Sequence, residues 1–246
     1  MNEVERLEAQ AALAWPAEKR VLAELGVGGT VLEVGCGPGA LLERLRELSG
    51  TLVAVEPDAE YAALARARVP EAEVLDGRAE VLPLQHAAVD AAVVRYVFQH
   101  VADPGAAARE LRRVLRPGGV LAAIEVDGQL WGIAEPSFPE TAAIHAKVWV
   151  AQRDRGGDRM IGRRLPAILR EAGFGDVRVD VYTYSSLELG LDAFDVHLDP
   201  AQLAPAVEDG TITPAELATA ADAYRRFRAD PNAFVLLAGL VVSGRA

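Results

Sequence analysis

The chain is almost devoid of cysteine: Cys36 is the single one in 246 residues. An intramolecular disulfide is therefore excluded, and nothing in the composition points to an oxidising compartment. Cations are also in deficit. Lys and Arg number 25 against 36 Asp and Glu, a formal net charge of −11, with no long basic run to offset it. Phosphate backbones and anionic lipid select clustered cations, so neither is an expected partner. Long apolar runs are missing too. The longest, Phe234 to Val242, falls well short of the ~20 residues that span a bilayer. Met1 to Arg6 has neither the basic nor the apolar segment of a secretory leader, and we expect a cytoplasmic protein. What is present is ordinary for a globular chain: 51% apolar and 25% charged residues, which excludes a disordered or fibrous class.

Strand-like and helix-like segments alternate through the first half. Thr30 to Val34 reads as a buried strand, followed by Gly35-Cys36-Gly37-Pro38-Gly39. Leu41, Leu42, Leu45 and Leu48 then recur at helical spacing. Thr51 to Glu56 is the next strand, and Pro57-Asp58 opens a helix from about Ala59 to Arg68. Glu73-Val74-Leu75, Val89 to Arg95 and Val120 to Val126 supply three more strands. Asp103 caps the helix between the last two, with Pro104 as its first residue. This alternation predicts a doubly wound α/β domain with a parallel sheet covered on both faces. In the second half, helices are predicted around Thr141 to Gln152 and over Leu165 to Ala172. Strands are predicted over Val177 to Tyr184 and Phe234 to Ser243, with a turn-rich helical stretch from Ser185 to Pro231 between them. No repeat or low-complexity linker divides the chain, which reads as one domain carrying insertions.

The most informative segment runs from Val31 to Gly39, a strand entering a glycine turn that opens a helix. Glycines let the chain turn tightly and let a ligand approach its backbone. In open α/β sheets ligands sit outside the carboxyl ends of the strands. A glycine turn alone does not name the ligand. Glu56 ends the next strand, where a carboxylate can accept hydrogen bonds from both hydroxyls of a ribose. A nicotinamide-dependent oxidoreductase shares this logic, but it usually carries GxGxxG, and here Pro38 stiffens a shorter turn. A non-catalytic nucleoside-binding protein is the other alternative.

The segments VLEVGCGPG, VAVEPD, DGRAEVLPL and ARELRRVLRPGGVL, in this order and spacing, resemble the class I S-adenosylmethionine-dependent methyltransferases, above all the small-molecule branch known as methyltransferase type 11. The resemblance is strong over Thr30 to Glu125 and looser beyond. It implies a seven-stranded Rossmann-like sheet in the order 3-2-1-4-5-7-6, with the last strand antiparallel, inserted at the sheet edge. It also implies lids formed by N-terminal helices over residues 1–26 and by insertions over residues 128–157 and 185–232. The cofactor would be S-adenosylmethionine, the product S-adenosylhomocysteine, and the acceptor a small molecule. By the same resemblance, Gly35, Cys36, Gly37 and Gly39 cradle the methionine part and Glu33 reaches its amino end. Glu56 takes the ribose and Pro57 packs on the adenine. Gly77, Arg78 and Ala79 cover the adenine edge, while Arg95 and Tyr96 lie under the methionine part. Arg78 stands where the family usually has an adenine-binding Asp. Arginine has only donors, so Asp76 or Glu80 would have to supply the acceptor.

Other residues carry weaker signals. Cys36 has no histidine partner and reads as a small filler beside the ligand. The histidines lack metal-ligand spacing and no GxSxG elbow occurs, so neither a metal site nor a serine hydrolase is predicted. Gln99 and His100 follow the fourth strand in the family's acceptor-facing region, and His100 is a candidate base. Glu125 and Asp127 follow the fifth strand and are candidate proton acceptors. Trp15, Trp131, Trp149 and His145 are candidates to line an acceptor pocket; each alone reads as packing, and at least one of the set as a pocket residue. The arginine-rich stretch Arg153 to Arg164 reads as a solvated helix start, or as a contact to an anionic acceptor.

Overall fold

The structure is a computed structural model that describes residues 2–246; Met1, the first residue of the expected N-terminal segment, lies outside the described residues. Its strands are β1 (Thr30–Val34), β2 (Thr51–Glu56), β3 (Glu73–Asp76), β4 (Val89–Arg95), β5 (Leu115–Glu125), β6 (Gly132–Glu135), β7 (Gly175–Ser185) and β8 (Phe234–Arg245). The helices are α1 (Glu3–Leu25), α2 (Ala40–Leu45), α3 (Ala59–Arg68), α4 (Pro104–Val114), α5 (Ala142–Asp154) and α6 (Ile161–Glu171). The short α7 (Ser186–Leu189), α8 (Asp195–Leu198) and α9 (Ala204–Glu208) precede α10 (Pro214–Ala229). No helix among the described residues is long and apolar enough to cross a membrane.

β1 lies between β2 and β4 and is parallel to both. Because successive side chains point to opposite faces, its apolar residues feed two cores. Val31 joins the core under α1, α2 and α3, while Leu32 and Val34 join the core under α4 and α6. This is why the central strands read as continuous apolar runs. Capping side chains fix where the helices begin. Asp58 accepts from the N–H groups of Glu60 and Tyr61, and Asp103 accepts from that of Ala106, each worth about 1 kcal/mol.

All eight strands form one sheet, ordered β3-β2-β1-β4-β5-β8-β6, with β7 also paired to β8. The expected antiparallel final strand is β8. It runs between β5 and β7 and is antiparallel to both, which is the expected order 3-2-1-4-5-7-6 with one strand added. The additional strand is β6, four residues inside the expected insertion 128–157. It continues along the edge of β8 where β5 stops, since Glu125 pairs with Leu240 and Gly132 with Leu237. The N-terminal segment is one continuous helix and not several. Its second half is core, with Leu22 fully buried, and its first turns reach the strand ends. Over those ends a smaller cluster of Ile144, Ile212 and Ala220 ties α5 to α10.

Candidate active site

The C-terminal ends of β1, β2, β4 and β5 open into one cavity of about 830 Å³. The glycine turn forms its floor. The Gly35 N–H donates to the Val55 carbonyl at 2.7 Å, which locks the turn to β2. Gly35, Gly37 and Gly39 all have positive φ, at 69°, 53° and 84°. Their missing side chains face different surroundings. A Cβ on Gly35 would meet Val97 Cγ2 at 2.5 Å, and one on Gly39 would meet Ala65 Cα of α3 at 3.1 Å. A Cβ on Gly37 would meet nothing closer than Leu7 Cδ1 at 4.0 Å. Gly37 therefore presents bare backbone to open space. Gly39 does not line the cavity, contrary to expectation; its lack of a side chain lets α2 pack on α3.

Two acids stand at the strand ends. Glu56 is buried; its Oε2 accepts from the Gly37 N–H at 2.8 Å and its Oε1 from the Asp58 N–H at 3.0 Å. The β2 carboxylate is thus held by the turn itself. Glu33 is also buried, and its Oε2 has no hydrogen-bond partner. Burial raises its pKa well above the carboxylate range, against the pull of Arg95. Cys36 lies between them, where burial, Glu33 and Glu56 push the thiol up and keep it protonated. This agrees with its reading as a filler residue.

Gly77, Arg78, Ala79 and Glu80 form a second wall, with Pro57. Asp76 turns away and pairs with Arg66 at 3.1 Å, so Glu80 is the acid of this turn that reaches the cavity. Arg95 and Tyr96 form the end of β4, where the Arg95 guanidinium lies 4.4 Å from the Tyr96 ring centroid. Arg95 donates from Nε to Glu18 of α1 at 2.9 Å, and the Tyr182 hydroxyl donates to the same oxygen at 2.8 Å. Burial alone would depress the arginine, but Glu18 beside it holds its pKa above the ordinary value. Glu18 carried no sequence signal because it sits at a core position of an amphipathic helix. Only the fold brings Arg95 and Tyr182 to it.

Beyond Tyr96 the cavity continues to a third wall. Gln99, His100, Trp131, Trp149 and His145 all line it. Trp15 does not. It is buried in the core and donates from Nε1 to Glu47 at 2.9 Å. The His145 and Trp149 rings stack, with centroids 6.4 Å apart and planes 13° apart. Glu125 is buried at the end of β5; its Oε1 accepts from the Phe98 N–H at 2.6 Å, while its Oε2 has no partner. Burial pushes its carboxyl up to about 8, against backbone N–H donors and Arg159. Desolvation, with Arg159 nearby, holds the imidazoles of His100 and His145 below their ordinary range. Asp127 is different: Arg163 binds both its oxygens and holds its pKa low, so it has no free role as a base. His197 was not singled out in the sequence. It reaches this wall from α8, and burial lowers its pKa to about 4.

Residues 32–123 match the methyltransferase domain family. A protein of about 37.1 kDa encoded in a transposon of Streptomyces fradiae is 37% identical over 153 residues, covering 60% of this chain and 44% of that protein. An uncharacterized methyltransferase of Mycobacterium bovis is 44% identical over 91 residues, 37% of each chain. The chain thus spans less than half the length of these relatives. The crystal structure of an S-adenosylmethionine-dependent methyltransferase of Thermotoga maritima superposes with a TM-score of 0.57 at 29% identity, covering 74% of this chain and 80% of that one. Over residues 32–123 and in its fold the chain is similar to S-adenosylmethionine-dependent methyltransferases. That similarity favours a methyltransferase over the oxidoreductase alternative, and the antiparallel β8 agrees with it. The cavity also fits the methyltransferase cofactor. Gly37 offers backbone where any side chain would fill the space, and Glu33 is a buried carboxylate lacking the donor that an ammonium group would provide.

Proposed function

We propose that the protein transfers a methyl group from S-adenosylmethionine to a small molecule bound against the third wall of the cavity. The observation that carries this reading is the continuity of the cavity from the glycine turn to the aromatic wall. One continuous space can hold donor and acceptor end to end. The formal charge of −11 argues against nucleic acid as the acceptor.

When bound, S-adenosylmethionine supplies an electrophilic methyl group on its sulfonium. The chain's own residues then have three tasks. The first is to hold. Glu56 receives the ribose hydroxyls, Glu33 the ammonium end, and the Gly35–Gly37 backbone lies along the methionine part. Pro57, Gly77, Arg78 and Ala79 flank the adenine, with Glu80 as its acceptor. Arg95 and Tyr96 support the methionine end from below. The second is to align and exclude water. The first turns of α1, with residues 128–157 and 185–232, act as the lid of a single domain, while the second half of α1 is core; such alignment can contribute several kcal/mol. The third is to take a proton where the acceptor must lose one. Glu125 Oε2, buried and unpartnered, suits that task, with His100 as the second candidate.

The test is calorimetric titration with S-adenosylhomocysteine and NAD, then label transfer from S-adenosylmethionine into small-molecule extracts and into tRNA. We expect S-adenosylhomocysteine to bind, NAD not to bind, and label to enter small molecules. Binding without transfer would identify a non-catalytic S-adenosylmethionine-binding protein. Preferential labelling of tRNA would overturn the small-molecule assignment.

A further inference from the structure

Arg159 sits on the loop between α5 and α6 and lines the third wall of the cavity. Its neighbours in sequence leave it without a counter-ion. Asp158 pairs with Arg164 at 2.5 Å, and Asp127, next to Gly128 whose N–H donates to the Arg159 carbonyl, pairs with Arg163 at 2.5 Å. No carboxylate among the described residues forms an ion pair with Arg159. Its Nη1 donates to Gln99 Oε1 at 2.7 Å, and its Nε is buried with no partner at all. Gln99 is itself fixed, since its carbonyl accepts from the Asp158 N–H at 2.8 Å and from Gln152 Nε2 at 3.1 Å. The guanidinium is thus oriented by a neutral amide and left uncompensated.

A desolvated, unpaired cation is costly to keep in a folded protein. A guanidinium is also a planar fork matched to the two oxygens of a carboxylate or phosphate. The cavity acid that acts on Arg159, Glu125, does not cancel it, because its carboxyl is pushed up to about 8 and is mostly neutral at pH 7. Beside Arg159 the wall is flat and aromatic, with Trp149 stacked on His145 and Trp131 and Phe138 on the same cavity. The pattern is an oxyanion receptor next to a surface for a ring.

Building on the methyl-transfer reading, we propose that the acceptor is a small aromatic oxyanion, its carboxylate or phosphate seated on Arg159 and its ring against Trp149. The arginine-rich loop thereby selects the acceptor, while the cofactor is held by the strand ends opposite.

The experiment is calorimetry on the full chain, with and without saturating S-adenosylhomocysteine. The probes are benzoate, phenyl phosphate and the neutral analogue benzamide. At least one oxyanion is expected to bind tenfold or more tightly than benzamide, and the preferred one identifies carboxylate or phosphate as the group read. Arg159→Met should lose that preference, with S-adenosylhomocysteine affinity within about twofold of the parent. Arg159→Lys keeps the charge without the fork and should retain part of the preference, which separates loss of the receptor from loss of the fold. Equal binding of benzamide, failure of both oxyanions to bind, or an unchanged preference in Arg159→Met overturns the proposal. A tenfold loss of S-adenosylhomocysteine affinity in Arg159→Met also overturns it, assigning the guanidinium to the cofactor's own carboxylate. Failure of the parent chain to bind S-adenosylhomocysteine would instead break the methyl-transfer reading, while the titrations without it still report on Arg159.

Discussion

The two ends of the cavity are built in different ways. At the proposed cofactor end the decisive groups are backbone atoms and carboxylates at strand ends, all between residues 33 and 56 of the sequence. Glu33, Gly35, Gly37 and Glu56 lie on β1, β2 and the turn between β1 and α2, and the turn's own N–H group holds Glu56 in place. At the acceptor end the decisive groups are side chains from distant segments: Glu125 after β4 and α4, Trp149 on α5, Arg159 on a loop, His197 on α8. Several of their polar atoms are unpartnered. The first end is fixed by chain geometry and tolerates little change. The second is a set of substitutable side chains on a fixed frame, which is where acceptor choice can vary without disturbing the donor.

The sharpest test of this contrast is the glycine turn, and it should give the largest effect. Gly37→Val places a branched side chain in the cavity floor without meeting protein atoms closer than 4.0 Å at its Cβ. Its positive φ adds strain of roughly 1–2 kcal/mol. We expect S-adenosylhomocysteine binding to fall at least a hundredfold, with a modest drop in Tm. Gly39→Val should behave in the opposite way. Its Cβ would press on Ala65, so stability should fall more than cofactor affinity does in the surviving folded fraction. If the two variants behave alike in calorimetry and thermal melts, the turn does not divide into a ligand-facing and a packing glycine.

Glu125→Gln probes the acceptor end and should come next in size. As a base, Glu125 must be ionised, so turnover should rise as pH rises through about 8 and flatten above it. The Gln variant should lose about a hundredfold in kcat near pH 8, together with that pH dependence, while binding S-adenosylhomocysteine normally. Stability runs the other way. The folded state holds this acid protonated, so its contribution is full below the ordinary carboxylate range and is lost as pH rises through about 8. Parent Tm should therefore fall faster than that of the Gln variant between pH 6 and 9. A flat pH–rate profile in the parent would transfer the proton-accepting role away from Glu125.

Glu56→Ala removes one carboxylate from the cofactor end and should weaken S-adenosylhomocysteine by at least tenfold, about 1.4 kcal/mol. The same change should also loosen the turn, because the Gly37 and Asp58 N–H groups lose their acceptor. Unchanged affinity would sever Glu56 from the ribose.

The two ends were also unequally legible in the sequence. The strand–turn–helix pattern and the acid at the end of β2 are local, so their positions followed from spacing alone. Gly39 was misassigned because spacing shows that a turn needs glycine but not which side of the turn each absent Cβ faces. Trp15 was misassigned because an indole fits a core as well as a pocket, and its Nε1 found Glu47 instead of a ligand. β6 was missed because four residues from Gly132 to Glu135 carry no apolar alternation and form a strand only by extending the edge of β8. Arg159 stood within a stretch flagged for its charge. What distinguishes it from Arg163 and Arg164 is the absence of a counter-ion, a tertiary fact that no one-dimensional pattern contains.

The smallest expected effects come from the tryptophans, and they refine the acceptor end. Trp149 is half-buried, stacks on His145 and packs against Gly128, where a Cβ would meet its ring at 3.0 Å. Trp131 is 41% exposed and has less surface to offer a ligand. Burying an aromatic face contributes about 25 cal/mol per Å² removed from water, so the ring that encloses the acceptor more completely should matter more. Trp149→Ala is therefore expected to raise the KM for the acceptor several-fold, and Trp131→Ala about twofold, with S-adenosylhomocysteine affinity unchanged in both. Measuring KM and Kd in parallel separates the ends. A larger effect from Trp131 would move the acceptor ring toward the β5–β6 loop. An equal loss of cofactor affinity would show that donor and acceptor share one wall, and the division between a fixed end and a variable end would fail.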